Sequence, residues 1–336
     1  MVKTSVIILN WNGQRFLQKF LPDIVLYTQD DQTQVIIADN GSTDSSVAFL
    51  EQHFPQIPLF KFDQNYGFTG GYNRAIELVD SQYVVLLNSD IEVHPDWLQA
   101  LILHMDSHPQ TAACMPKMLS LEHKTQFEYA GAAGGFIDFL GYPFCRGRIL
   151  ATTENDTGQY NTVRDVFWAT GACMVVRTSV YKALGGLDND FFAHMEEIDL
   201  CWRMQNAGYK IQCVPTSWVH HVGGGTLPNN HPRKLFFNYR NNLLMLYKNL
   251  PNSSLYSLLL LRLLLDGGSA LAFLLQGQFS FFMAVVRAHH DFFQLRKGKR
   301  QSNTLSFNKL NGVHPRSIIA DYFLWGKKRF SQIITE

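Results

Sequence analysis

YVVLLNSD, residues 83–90, is an unbroken apolar run that stops at a small polar tripeptide ending in a carboxylate. A run of Val and Leu bounded by turn formers reads as a strand covered on both faces, the kind found inside a parallel sheet. Asp90 at its tip has two readings. It is either turn punctuation or a ligand for a cation held beyond the strand.

Upstream the same pattern repeats. TSVIILN (4–10), TQVIIAD (33–39) and PLFKFD (58–63) are apolar, β-rich runs. Each is followed by helical spacing, in GQRFLQKFLPDIVLY (13–27), in STDSSVAFLEQHF (42–54) with Ser42 or Thr43 placed to cap it, and in GGYNRAIELVD (70–80). HPDWLQALILHMDSHP (94–109) follows the fourth strand as a helix begun by Pro95. Strand–helix alternation with short links predicts an α/β fold built on a mostly parallel, doubly wound central sheet. Ligands in such sheets bind beyond the carboxyl ends of the strands. Those ends read NWNG, ADNGSTD, DQNYGFTGG and NSD, four polar segments gathered at one rim.

Beyond about residue 110 the alternation breaks down. FWATGACMVVR (167–177) reads as a buried strand and FFAHMEEIDLCWRMQNAGY (191–209) as a helix closed by Gly208. KIQCVPTSWVHHVGGGT (210–226) is a strand running into a His-His-Gly-rich loop, and FFNYRNNLLMLYKNLP (236–251) is a further helix. The expected division is an α/β domain over residues 1–228, with a ligand-binding half over about 1–110 and a second half over about 111–228, then a basic, apolar helical segment over residues 229–336.

Composition separates those parts. The chain has 336 residues, 46% hydrophobic and 17% charged, with a formal charge of +1 that conceals an asymmetry. Residues 1–228 carry 14 Lys+Arg against 24 Asp+Glu, and residues 229–336 carry 15 against 4. The five cysteines form no CxxC pair and no zinc-like spacing, which predicts buried reduced thiols in a cytosolic protein. The apolar stretch in MVKTSVIILNWNG is too short for a signal peptide.

The basic segment is also the greasiest one. Twenty uncharged residues, 267–286, lie between Asp266 and Arg287, about the length of a bilayer span but carrying two glutamines, two serines and three glycines. Cations follow at Arg296, Lys297, Lys299 and Arg300, and again at Lys327, Lys328 and Arg329. Apolar helices flanked by cations predict peripheral or monotopic attachment to an anionic, cytoplasmic membrane surface. The alternative is a helical bundle packed on the catalytic domain. Nucleic acid fits poorly as a partner, because the cations sit beside apolar helices instead of on a stacking platform.

Taken in order, SVIILNWNG, ADNGSTDSS, NYGFTGGYNRAI, LLNSDIEVHPDWL, WATGACMVVR, FFAHMEEIDLCWR, HHVGGGT and YRNNL resemble a bacterial family 2 inverting glycosyltransferase of the GT-A fold, on its rhamnosyltransferase-like branch. The resemblance covers roughly residues 4–250. It implies a nucleoside diphosphate sugar donor, a saccharide or lipid-linked acceptor in cell-surface polysaccharide assembly, and a Mg2+ or Mn2+ ion against the departing diphosphate. In that family an Asp-x-Asp element holds the metal, and Asn88-Ser89-Asp90 stands in its place. Asp90 keeps the metal-binding carboxylate, while Asn88 offers a neutral amide for a ribose hydroxyl.

The same resemblance assigns Asn10, Trp11 and Asp39 to the nucleoside, with Trp11 readable either as a base-stacking ring or as a core residue. Gly70 and Gly71 read as opening a helix whose N–H groups attract phosphate or polar sugar groups. Asn73 either reaches the nucleotide or solvates its helix. His221, with His220 as alternate, reads as an added metal ligand or diphosphate partner beside a glycine loop. Arg240 either contacts the diphosphate or anchors its helix.

Inversion needs one base for the acceptor hydroxyl. The family block Glu-Asp-x-Asp appears as Glu196-Glu197-Ile198-Asp199, so Glu197 maps to the base, with Glu196 and Asp199 as alternates. Asp199 also pairs i,i+4 with Arg203. Two other classes compete: a nucleotidyltransferase, whose N-terminal Gly-rich activating loop NWNGQRF lacks, and a non-catalytic membrane-bound scaffold.

Overall fold

The computed structural model describes residues 2–223, 231–298, 300 and 305–335. Its first part alternates as the patterning predicts: β1 (Thr4–Asn10), α1 (Gln14–Thr28), β2 (Thr33–Asp39), α2 (Ser46–His53), β3 (Leu59–Lys61), α3 (Gly67–Glu77) and β4 (Tyr83–Asn88). β5 (Ile91–Glu92), α4 (Trp97–Ser107) and β6 (Thr111–Ser120) follow. Four short strands come next, β7 (Gly135–Asp138), β8 (Pro143–Cys145), β9 (Arg148–Ile149) and β10 (Thr152–Thr153). The chain then forms β11 (Arg164–Asp165), β12 (Cys173–Arg177), α5 (Thr178–Ala183), α6 (Glu196–Asn206) and β13 (Lys210–His221). α7 (Pro232–Asn249), α8 (Asn252–Leu275), α9 (Phe279–Leu295), β14 (Val313–His314) and α10 (Ile318–Phe323) complete it.

The main sheet runs β3-β2-β1-β4-β12-β6-β13-β11, with β5 on β13. β3, β2, β1 and β4 are parallel, whereas β12 is antiparallel to both β4 and β6. Register sets the rim: Asn10 lies opposite Asp39, and Leu9 opposite Asn88, so three strands end side by side. β5 pairs Ile91 with His221 and Glu92 with His220, which delivers Asp90 to the end of β13. The apolar run that opened the reading is the centre of this sheet, with Val84, Val85, Leu86 and Leu87 fully buried.

α3 begins at Gly67, a turn earlier than the sequence suggests. Gly67 has φ +74, and a Cβ there would lie 2.6 Å from the Phe192 ring, so this position needs glycine twice over. Gly70 and Gly71 lie inside the helix. A Cβ on Gly71 would come within 2.6 Å of Leu9, so this residue lets α3 settle onto β1 and offers no N–H to a ligand. The helix N-terminus is already closed by the Phe192 carbonyl, which accepts from the Phe68 N–H. All five cysteines are buried and unpaired.

The expected break at residue 228/229 is a change in composition and not in packing. β14 pairs in parallel with β7 and completes a second sheet, β10-β9-β8-β7-β14. Phe330 is fully buried against Phe136, Phe144 and Tyr160, and its N–H donates to Glu154. The Ile318 N–H donates to Asp138 at 2.9 Å.

Residues 267–286 do not form one span, because a turn with Gly277 at φ +74 separates α8 from α9. Among the described residues, α8 is the one helix long and apolar enough to cross a bilayer. Its inner face buries Leu255, Leu259, Arg262, Asp266 and Ala270. Arg262 donates to the Leu140 carbonyl at 2.7 Å and to Asn242 at 2.6 Å, and it pairs with Asp266 at 3.5 Å. Charges buried mid-helix hold α8 to the domain. Its other face stays open, with Tyr256, Leu260, Leu264, Leu271 and Leu275 exposed. Gly224, Gly225, Thr226 and Lys299, singled out in the sequence, lie outside the described residues.

Candidate active site

The nucleoside side of the rim is built by strand ends. Asn10 donates to Asp39 Oδ1 at 2.9 Å and to Ser42 Oγ at 3.2 Å, and Asp39 Oδ2 accepts from the Ser42 N–H. Both residues are buried, and the Asn10 amide oxygen has no partner although it is enclosed. An enclosed acceptor without a donor costs free energy that a ligand donor can relieve. Trp11 is 45% exposed, so it is not a core residue. Asn88 and Ser89 are half-buried at the same edge, and the Asn88 N–H donates to the Ala172 carbonyl.

Asp90 and His221 meet where β5 crosses the end of β13. His221 Nε2 lies 3.1 Å from Asp90 Oδ1, and its other ring nitrogen lies 3.5 Å from Glu128 Oε1. Burial opposes charge on this imidazole, but the two carboxylates outweigh it and push its pKa up to about 10. The His221 ring is thus held between the carboxylates of Asp90 and Glu128. His220, one residue earlier on the strand, points to the other face and pairs with Glu92 at 3.2 Å. Alternation along β13 thus separates the two histidines.

Among the described residues no group of three or more His, Cys, Asp or Glu is arranged to enclose a metal ion. A carboxylate and an imidazole at hydrogen-bond distance do fit an ion that takes most of its ligands from phosphate and water. Glu128, 5% exposed, was not legible from TQFEYAG (125–131), where it is a lone acid without spacing or a partner motif.

A strained turn leads into α6. Phe192, His194 and Met195 all have positive φ, at 63°, 70° and 71°. Such a turn persists only when its surroundings fix it. α7 does this: Asn241 donates to the carbonyls of Phe191, Ala193 and His194, and Arg240 to those of Asp190 and Phe191. Arg240 is thus buried as an anchor, with Nη2 on the two loop carbonyls and Nε on the Asn241 side chain. The turn launches α6, where Glu197 Oε2 is enclosed without a partner. Burial raises the Glu197 carboxyl to about 7. Gly171 lies beside it, 3.7 Å from Glu197 Cβ to the position a glycine Cβ would take.

The alternates fare differently. Burial, and then the neighbouring Glu197 charge, push the Glu196 carboxyl well above its ordinary value. Burial alone would raise Asp199 too, but Arg203 at 2.8 Å, Lys248 at 3.1 Å and Asn249 at 2.8 Å hold it below the usual range. Asp199 is fully buried in this cluster and unavailable as a base. Asn73 is also committed: it donates to the Leu187 carbonyl and to Asn189, and accepts from Tyr181 Oη and the Leu187 N–H. It orders the 185–189 loop and has no capacity left for a nucleotide.

The family model for glycosyl transferase family 2 matches residues 5–185. An N-acetylglucosaminyl-diphospho-decaprenol L-rhamnosyltransferase of Mycobacterium tuberculosis is 27% identical over 240 residues, 66% of this chain and 76% of the relative. Rhamnosyltransferase WbbL of Escherichia coli is 24% identical over 239 residues, 69% of this chain and 86% of that one. Among solved structures, GalNAc-T7 with UDP, GalNAc and Mn2+ superposes with a TM-score of 0.58 at 14% identity, covering 75% of this chain and 49% of that one. That likeness establishes the GT-A fold.

Proposed function

The chain belongs to glycosyl transferase family 2, and from that premise we propose that it moves a sugar from a nucleoside diphosphate donor to a lipid-linked saccharide at a membrane surface, with inversion at the anomeric carbon. The reading is supported by the Asp90–His221 pair and by Glu197, whose enclosed Oε2 has no partner and which packs beside Gly171, the residue before the Ala172 carbonyl that accepts from the Asn88 N–H. Asp39 and Asn10 hold the nucleoside, Trp11 stacks on the base, and Asn88 and Ser89 offer neutral polar groups to the ribose and diphosphate. Asp90 and His221 would hold Mg2+ or Mn2+, which supplies positive charge against the diphosphate as it departs. His221 would bind such an ion as the neutral imidazole, so holding it would require loss of the ring proton. Glu197 takes the proton from the acceptor hydroxyl. Its raised pKa makes it a stronger base than an ordinary carboxylate while leaving it about half ionised at neutral pH.

Rhamnose is the first sugar to test, because both rhamnosyltransferase relatives carry it in their names. Membrane contact rests on the open apolar face of α8 and on exposed Phe279, Val286 and Phe293 of α9. The location that follows is the inner face of the cell membrane, with the hairpin lying on the bilayer and not crossing it. Calorimetric titration with nucleoside diphosphates, with and without Mn2+, tests the donor site, and a donor panel read by mass spectrometry identifies the sugar. Absence of nucleotide binding in both conditions defeats the enzymatic reading. For the membrane, Leu260→Gln with Leu264→Gln and Leu271→Gln should release the protein from anionic vesicles, since each leucine contributes about 1.5–3 kcal/mol when buried. Unchanged vesicle binding in that variant refutes the hairpin contact.

A further inference from the structure

An open groove of about 390 Å³ runs between α7 and α9, lined by Arg233 and Phe236 on the first helix and by Ser280, Ala284, Arg287 and Asp291 on the second. Nothing in the donor chemistry uses it. Its position is informative, because the same first turns of α7 also face the catalytic rim. Lys234 lies within electrostatic reach of Glu128 and of His194, and Phe237 stacks on Phe192 of the strained turn at 5.8 Å. The groove therefore opens about one helical turn from the loop that positions Glu197.

Its chemistry is two-sided. Arg233 and Arg287 present two guanidinium groups at its surface. The one carboxylate, Asp291, also answers the charge of the buried Arg240. The floor, by contrast, is apolar, with Phe236 and the buried Ala284. Phe279 and Val286, the chain neighbours of Ser280 and Arg287 in α9, are exposed apolar residues, as is Leu275 at the end of α8. A cationic mouth beside the reaction and an apolar exit along the membrane-facing hairpin match an anion joined to a hydrocarbon chain. A nucleotide has no need of the exit, and a free phosphate has no need of the floor.

We propose that the α7–α9 groove is the subsite for the diphosphate of a lipid-linked acceptor, with Arg233 and Arg287 gripping the phosphates and the lipid chain leaving along α9. This rests on the glycosyl-transfer reading and names where its acceptor is held. Guanidinium groups bind phosphate oxygens in bidentate fashion, so the grip orients the acceptor as well as attracting it.

The test uses the full chain in mild detergent with EDTA, which removes metal-assisted diphosphate binding at the donor rim. Farnesyl diphosphate is the probe. Wild-type protein should bind it at least tenfold more tightly than farnesol or inorganic pyrophosphate. Arg233→Gln with Arg287→Gln should lose at least tenfold in farnesyl diphosphate affinity, and the corresponding Lys pair should recover part of it. Equal affinity in wild-type and Gln proteins, or pyrophosphate binding as tightly as farnesyl diphosphate, overturns the proposal. So does displacement of the probe by phosphatidylglycerol vesicles at equal phosphate concentration, which would mark a general headgroup site. Nucleoside diphosphate binding with Mn2+ is titrated separately and should be unchanged in the Gln protein. If the wild-type protein lacks that binding, the glycosyl-transfer reading fails instead.

Discussion

Replacing Glu197 tests the reaction most directly, because its burial makes a quantitative prediction. With a pKa of about 7, the carboxylate form is about one tenth of the population at pH 6 and about nine tenths at pH 8. A base acts only when ionised, so activity should fall as pH drops through 7 and rise roughly tenfold from pH 6 to pH 8. Glu197→Gln keeps the shape of the side chain but cannot accept the proton. It should lower the transfer rate by about 10²–10⁴ and flatten the pH dependence. Glu197→Asp restores the acid of the resembled block but withdraws it by one methylene, and an intermediate rate with a retained pH limb is expected. Single-turnover transfer, followed by mass spectrometry from pH 5.5 to 8.5, reads both quantities. The reasoning is refuted if the Gln variant stays within tenfold of wild type, or if its rate still climbs tenfold between pH 6 and 8. Glu196→Gln is the internal control: if Glu197 is the base, the pH limb should survive this change.

Other expectations separate structure from chemistry. Asp199→Ala removes the buried carboxylate shared by Arg203 and Lys248, leaving them only the Leu184 and Gly186 carbonyls and Asp188, and should cost about 3–5 kcal/mol in denaturant unfolding. A loss below about 1 kcal/mol would show that the cluster is not the brace it resembles. Asp90→Asn and His221→Ala should each abolish the Mn2+-dependent part of nucleotide binding in calorimetry, whereas His220→Ala, on the opposite face, should retain it. Glu128→Gln should weaken Mn2+ about 10–100-fold by loosening His221, while nucleotide affinity without metal stays unchanged.

Much of this arrangement was readable in the sequence, for a physical reason that also sets the limit. Apolar runs ending in polar residues reveal strands and their tips, so Asn10, Asp39, Asn88 and Asp90 fell at one rim. A run such as CMVVR is as apolar read backwards as forwards, and its antiparallel insertion beside β4 leaves no trace in periodicity. Asn73 and Arg240 look like ligand groups because the sequence shows donors and acceptors but not who has already taken them. The structure shows both bonded to loop backbone. Glu128 was invisible because its meaning comes from β13, some ninety residues later. The composition step at residue 228 was real, yet it reported the exposed apolar face of the hairpin, not a break in the fold. Phe330 and Ile318 return to the catalytic body through contacts 176 and 180 residues apart in sequence.

That return has a mechanical consequence. The α8–α9 hairpin leaves the domain through α7 and the chain rejoins it at β14, so the hairpin is fastened at both ends. An appendage on one tether can swing; an element fastened twice rides with its body. If the hairpin rests on a bilayer, the height and tilt of the Asp90–His221 site above the lipid become fixed dimensions of the molecule. The enzyme then works as a gauge, reaching only those hydroxyls that an acceptor presents at one standoff from the membrane.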